Sequence, residues 1–295
     1  MKVRFPEPGT YVLAVSGGVD SVALLDILSK RSGLKIIVTH FNHHIRQDSD
    51  EDERLVAGLA KKYRLAFESG GEHLGPDASE EQAREARYNF LRAVMEEYDA
   101  KAIITAHHED DMIETAILNI LRGTGPRGLV AIASNPMIIR PLLKATKTDL
   151  KAYASKNNLS WREDPTNQDE KILRNYIRMN ILPKMTDSQR ISFLKNMDKI
   201  ADLEETKEEL IATLSHNLVR DKELDRSRFG LMPFEVGSSL LHDWLKKTGT
   251  SELNRPMIVR LNNFVRTGKA GASFDVDKKI KVTLDKEVAK LTTKS

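Results

Sequence analysis

Six consecutive residues, Ser16-Gly17-Gly18-Val19-Asp20-Ser21, combine two glycines, two hydroxyls and one acid directly behind an apolar run at 11–15. A turn of this kind, opening a helix, offers backbone N–H groups and the positive end of the helix dipole to an anion. The glycines let the main chain approach phosphate oxygens closely, and Ser16 and Ser21 add hydrogen bonds. The pattern is neither G-x-x-x-x-G-K-[ST] nor G-x-G-x-x-G. Instead Asp20 stands among the anion-binding groups, where it repels a phosphate unless a divalent cation lies between, and Mg²⁺ suits such oxygen ligands. The plain alternative is a Gly-Ser turn in which Asp20 or Ser21 caps the helix.

A second group is His107-His108-Glu109-Asp110-Asp111-Met112-Ile113-Glu114-Thr115. On a helix, Asp110 and Asp111 lie four and three residues before Glu114, on neighbouring positions. Acids so placed repel unless a cation, Mg²⁺ or a substrate ammonium, satisfies them. The alternative is a first turn enriched in acids because the dipole favours them. A zinc site is the weaker idea, since His107 and His108 are adjacent and lack the spacing of H-E-x-x-H.

The elements that must position these groups alternate. Residues 11–15, 34–39, 65–68, 102–106 and 138–139 read as strands. Helices are expected behind the 16–21 loop, over 49–63 with Ser49 as N-cap, and over 79–98 with a Ser79/Gln82 capping box. Further helices are expected over 110–121, from Thr146 or Thr148 to about 157, and over 172–181. This alternation predicts an α/β fold, a doubly wound parallel sheet with ligands at the C-terminal strand ends. The 16–21 loop and the 107–111 segment both leave strands, so they share one crevice. Residues 1–186 form the expected catalytic domain, 187–219 a helical and acidic linker, and 220–295 a small α+β domain.

Composition agrees with a soluble enzyme. The 295 residues are 40% hydrophobic, with a net charge of +3 and no cysteine. Disulfides, cysteine-rich zinc sites and thiol catalysis are thereby excluded. A mean hydropathy of −0.42 and the lack of a long apolar run point away from a membrane protein, and the absence of cysteine is in keeping with the cytoplasm. The first strand follows closely on Met1, leaving no room for a signal peptide. Charge is unevenly spread: 16 Lys/Arg against 10 Asp/Glu over 220–294, and 4 against 7 over 187–219. A basic terminal module is compatible with nucleic acid contact and equally with a solvated surface. Tyr11, Phe90, Trp244 and Phe264 read as core.

The loop resembles that of the N-type ATP pyrophosphatases, or PP-loop enzymes, which cleave ATP between the α- and β-phosphates. Over roughly 12–183 the chain is similar to the bacterial tRNA(Ile)-lysidine synthase family, in its shorter form. The resemblance rests on residues 14–21, on Ala83-Arg84-Glu85-Ala86-Arg87-Tyr88, and on Ala106-His107-His108-Glu109-Asp110-Asp111 with Glu114-Thr115. It continues through Arg122-Gly123-Thr124-Gly125, Arg127-Gly128-Leu129 and Arg140-Pro141-Leu142-Leu143. The last block is Trp161, Asp164-Pro165-Thr166-Asn167, Arg174-Asn175 and Arg178. Met112 departs from the glutamine usual in the family.

The resemblance implies a reaction and partners. ATP adenylates the C2 carbonyl oxygen of the wobble cytidine in an isoleucine tRNA with a CAU anticodon, and free L-lysine displaces AMP. It also implies roles. Ser16, Gly17, Gly18, Val19, Asp20 and Ser21 hold pyrophosphate, with Mg²⁺ on Asp20 and Asp111. His107 and Asp111 sit near the α-phosphate and the attacking amine, either one a candidate base. Asp111 and Glu114 receive the lysine ammonium groups. Arg87, Arg174 and Arg178 neutralise phosphate or the lysine carboxylate, with Arg178 also counted as catalytic. Each arginine has a surface alternative: Arg84 and Arg87 beside Glu80, Glu81 and Glu85, and Arg174 and Arg178 beside Asp169 or Glu170. His40, His43 and His44 contact adenine or ribose, or only build a loop. The resemblance leaves room for a homodimer and implies no membrane partner. Rival readings are a tRNA thiolation enzyme, for which cysteines are lacking, a GMP or NAD synthetase, which lacks the 164–178 pattern, and a silent RNA-binding protein.

Overall fold

The computed structural model describes residues 1–44, 48–73, 80–130, 132, 135, 137–163, 169–247, 250 and 253–293. Ser79, and with it the expected capping box, and the 164–167 motif lie outside the described residues. The chain divides into two compact units, Met1–Ala201 and Asp202–Ser295.

The first unit runs β1 (Gly9–Ala14), α1 (Val19–Ser29), β2 (Leu34–Asn42), α2 (Ser49–Tyr63), β3 (Ala66–Gly71), α3 (Glu80–Glu97), β4 (Ala102–Ile104), α4 (Glu109–Leu121), α5 (Pro126–Leu129), β5 (Ile138–Ile139) and α6 (Lys147–Lys156). The strands form one parallel sheet in the order β3-β2-β1-β4-β5. Strand alternation sorts the core into two layers. Tyr11, Leu13, Ile36 and Val38 meet Leu24 and Leu25 of α1 and Leu150 and Ala154 of α6. Val12, Ile37 and Ile103 meet Tyr88, Leu91 and Val94 of α3 on the opposite face. The sheet is therefore doubly wound, as the alternation predicts, and every strand exit opens on one edge.

A buried carboxylate steadies the helix behind the phosphate-type loop. Asp26 of α1 accepts from Tyr63 Oη and Tyr153 Oη, each at 2.7 Å, and from Lys30 Nζ at 2.6 Å. Burial pushes the Asp26 carboxyl up, but these donors outweigh it and hold the group below the usual carboxylate range. One contact set thus joins α1 to the end of α2 and to α6.

Element edges differ from expectation where local hydrogen bonding decides them. The residue at the N-cap of α2 is Asp48, not Ser49, and its side chain makes no cap bond. Strand β3 begins at Ala66 and runs on to Gly71, because β2 continues beside it to Asn42. The helix expected over 172–181 is instead α7 (Leu173–Tyr176), a π-helical stretch Ile177–Ile181 and a 3₁₀ turn Leu182–Lys184. Thr146 caps α6, its hydroxyl accepting from Asp149 N–H at 3.1 Å while the Asp149 carboxylate accepts from Thr146 N–H at 3.3 Å.

A long helix, α8 (Asp187–Leu218), contains the division between the units. Phe193 and Leu194 of its first half pack on Ile113, Leu118, Ile177 and Leu182 in the first unit. The second unit continues β6 (Val219–Arg220), β7 (Glu223–Asp225), α9 (Arg226–Gly230), α10 (Phe234–Lys246), α11 (Arg255–Thr267), β8 (Ser273–Asp275), β9 (Ile280–Leu284) and β10 (Val288–Thr293). Its sheet is antiparallel, in the order β6-β7-β10-β9-β8. Phe229, Leu240, Leu241, Trp244, Leu261 and Val282 fill its core. Among the described residues, no helix is long and apolar enough to cross a membrane.

Candidate active site

The exits of β1, β2 and β4 surround a cavity of about 410 Å³. Ser16, Asp20 and Ser21 line it from the first exit, His40 and His43 from the second, and His107 and Asp111 from the third; Arg87 of α3 closes one side. The two sequence groups thus meet in one crevice.

Gly17 has φ +92, a conformation that glycine adopts without strain. This turns the chain from β1 into α1, whose N-cap is Gly18. Ser21 Oγ donates to Gly18 O at 3.0 Å and lies 3.2 Å from Ser16 Oγ, so the hydroxyls knit the loop. The first N–H groups of α1 have no intrahelical acceptor and face an anion's natural place.

Asp20 does not cap the helix. Its Oδ2 accepts from Lys147 Nζ at 2.6 Å and lies 3.7 Å from His108 Nε2. Its Oδ1 is buried with no hydrogen-bond partner. Such an oxygen suits a hard cation that completes its shell with phosphate and water. Asp111 approaches the same imidazole nitrogen, its Oδ2 3.5 Å from His108 Nε2 and accepting from His108 N–H at 2.9 Å. Asp20 and Asp111 therefore fit the expected Mg²⁺ ligands. Among the described residues no cluster of three or more His, Asp or Glu forms a cage, and a phosphate-bridging Mg²⁺ needs none. Burial opposes ionisation of Asp111, but His108, His107 and Arg178 outweigh it and its pKa is lowered.

His107 Nδ1 lies 2.7 Å from Thr105 Oγ1. Burial lowers its pKa to about 4; Asp111 opposes the shift, and Arg140, Arg84 and Arg87 reinforce it. The ring is therefore neutral at physiological pH. Burial also lowers the pKa of His43, aided by Arg87 and His40.

Glu114, expected at the lysine ammonium, is already paired. Its side chain is fully buried, and Arg178 grips both oxygens, Nε to Oε1 at 2.7 Å and Nη2 to Oε2 at 2.9 Å. An ammonium reaches Glu114 only if Arg178 moves; here the carboxylate orients the guanidinium. Arg178 thus pairs across to α4 rather than with Asp169 or Glu170, and its Nη2 also lies 3.6 Å from Asp111. Asp110, the other expected neighbour of Glu114, turns away to Arg190 Nη1 at 2.5 Å. Arg174 is half-buried and its charge is felt at Glu114. Arg84 stacks over Tyr88.

Residues 4–185 match the family model described as a PP-loop domain. The chain belongs to the PP-loop family. A tRNA(Ile)-lysidine synthase of Thermus thermophilus is 40% identical over 196 residues, covering 63% of this chain and 37% of that one. A tRNA(Ile)-lysidine synthase of Francisella tularensis is 29% identical over 281 residues, covering 91% and 70%. The chain thus spans well under half the length of the Thermus relative. Among solved structures, the U34-tRNA thiolase NcsA of Methanococcus maripaludis with its [4Fe-4S] cluster superposes with a TM-score of 0.54 at 14% identity, over 67% of this chain and 74% of that one, a likeness of fold.

Within this PP-loop domain, nothing in the sequence pattern marks Lys147 or His108 as partners of Asp20. Lys147 lies 127 residues away and reads only as a helix start. The signal was there in the topology: residues after β5 leave the same sheet edge as the loop.

Proposed function

We propose that this PP-loop protein joins lysine to the wobble cytidine of an isoleucine tRNA with a CAU anticodon, using ATP. The observation that carries the reading is the single cavity shared by the 16–21 loop, Asp20, Asp111 and a neutral His107. The names of the relatives favour the same substrate.

In the first step the cytidine C2 oxygen bonds to the α-phosphorus, the α–β phosphoanhydride bond breaks, and pyrophosphate leaves. Ser16, Gly17, Gly18, Val19 and Ser21 hold the leaving pyrophosphate through N–H and hydroxyl groups. Asp20 and Asp111 would hold Mg²⁺, which supplies neutralisation of phosphate charge when bound. Lys147 and Arg87 add positive charge beside the phosphates. In the second step the lysine ε-amine bonds to C2, the C2–O bond to AMP breaks, and one amine proton passes to His107 or Asp111. Arg174 and Arg178 are suited to the lysine carboxylate by their fork geometry. The basic excess of 220–294 serves tRNA phosphates. Such an enzyme acts in the cytoplasm, with tRNA, ATP and lysine.

The test is mass analysis of the tRNA nucleosides after incubation with ATP, Mg²⁺ and isotopically labelled lysine. The expected product is cytidine carrying one lysine in place of the C2 oxygen, with one AMP and one pyrophosphate per event. Pyrophosphate release without label in the tRNA would refute the lysine step.

A further inference from the structure

Arg162 lies outside the cavity and outside every role assigned above, yet it holds two of the elements that build the site, the 16–21 loop and the start of α2. Its backbone N–H donates to Gly17 O at 3.0 Å. Its guanidinium donates through Nε to Asp52 Oδ1 at 2.7 Å, through Nη2 to Asp48 Oδ2 at 2.8 Å, and through Nη1 to Glu51 Oε2. These three acids form the N-terminal end of α2. Asp52 is buried, lines the cavity, and packs so near Gly17 that a Cβ there would stand 3.6 Å from the Asp52 Cβ. Gly17 is therefore held between Asp52 on one side and the Arg162 backbone on the other.

We propose that Arg162 is a positioning residue for ATP: it fixes the left-handed turn at Gly17 and turns three carboxylates away from the incoming polyphosphate. The inference rests on the ATP-binding part of the function proposed above. Two physical effects act together. The N–H to Gly17 bond aims the loop carbonyl outward, so that the opposite face of the peptide and the N–H groups that follow look into the cavity. The guanidinium meanwhile satisfies Asp48, Glu51 and Asp52 in one planar fork with three separate donors, a geometry a lysine ammonium does not reproduce. Without it, three like charges gather at the start of α2, with Asp52 lining the cavity, and repel one another and the phosphates.

The test measures equilibrium binding of α,β-methylene-ATP with Mg²⁺ to the full chain, wild type and variants, together with KM for ATP and for lysine. Arg162→Ala is expected to weaken analogue binding by about tenfold, the effect of losing a charge-assisted contact, and to raise KM for ATP while leaving KM for lysine unchanged. Arg162→Lys, which keeps the charge and loses the fork, should weaken binding nearly as much; it stands in if the alanine variant does not fold. In an Asp48→Asn/Glu51→Gln background the loss caused by Arg162→Ala should shrink severalfold, because two of the three like charges are gone. Binding within twofold of wild type in both single variants, an equal rise in the lysine KM, or an undiminished loss in the neutralised background would each overturn the proposal. A wild-type chain that binds no analogue would overturn the ATP reading itself, whereas wild-type binding unaffected by Arg162 overturns only the positioning role.

Discussion

Arg178→Ala should destabilise the first unit far more than Glu114→Gln, although the two remove the same ion pair. The reason is the unequal burial of the partners. Glu114 has no exposed side-chain surface, while about a third of Arg178, 37%, reaches solvent. Losing Arg178 strands a carboxylate that water cannot reach; breaking a buried pair from one side costs about 3–5 kcal/mol. Losing the Glu114 charge leaves a guanidinium that water can partly solvate, and glutamine keeps one acceptor oxygen, so about 1 kcal/mol is expected. For a unit of this size each kcal/mol moves the melting temperature by roughly 2–4 °C. Arg178→Ala should thus melt roughly 6–20 °C lower, and Glu114→Gln only a few degrees lower.

The pH dependence supplies a second, independent reading. Burial already raises the Glu114 pKa above its ordinary 4.5, and the Arg178 hydrogen bond and charge are the next largest influences, opposing the rise. Removing Arg178 therefore raises it further. Above the ordinary value the folded variant then holds a proton that the unfolded chain has lost. Stability contributed by that proton is present at low pH and is lost as pH climbs through the raised pKa, at up to about 1.4 kcal/mol per pH unit. The deficit of Arg178→Ala relative to wild type should be smallest near pH 5 and grow toward pH 8. Urea unfolding of both variants at the two pH values is the assay. A deficit for Arg178→Ala below about 1 kcal/mol, equal deficits at both pH values, or a costlier Glu114→Gln would refute the reasoning.

Asp20→Ala should abolish pyrophosphate release without unfolding the chain, while Lys147→Ala should leave release measurable and raise KM for ATP; pyrophosphate assays and circular dichroism separate these. His107 is neutral when folded down to about pH 4 but ordinary, near 6.5, when unfolded. Its contribution to stability is therefore present above pH 6.5 and lost as pH falls toward 4, and His107→Asn should flatten that acid slope in thermal melts. Replacing the exposed Lys269, Lys278 and Lys279 by glutamine should lower the salt slope of tRNA binding by up to about three, one per phosphate contact. An unchanged slope would mean that these lysines are only a solvated surface.

The parallel sheet was legible because its strands are short apolar runs with the glycine-rich loop at the end of one and the histidine-acid cluster at the end of another. The convergence of the loop with Asp111 and His107 follows from the rule that such sheets open at one edge. What was illegible is which charge meets which. Glu114 and Arg178 lie 64 residues apart, and Asp20 and Lys147 lie 127 apart. No periodicity encodes such pairings; they arise only when the helices are packed. The same holds for Asp110, whose spacing to Glu114 suggests a shared cation but which turns instead to Arg190. Residues 220–295 read only as a small α+β domain with a charge bias, because short antiparallel strands and three helices leave no long-range pattern to read.

The π-helical stretch from Ile177 to Ile181 makes the site sensitive to chain length in a way that no single substitution reveals. A π turn holds one residue more than an α turn closed by the same carbonyl, so it acts as an inserted tooth in a gear. Excising one residue there would close the turn to an ordinary α turn, leaving the segments on either side nearly in place but changing which side chain occupies each angular position within it. The wide turn thus carries Arg178 to Glu114 while Ile177 and Leu182 both stay packed with Ile113 and Leu118 of α4. A one-residue deletion in the stretch should therefore break the Arg178–Glu114 pair while sparing the packing on either side of it.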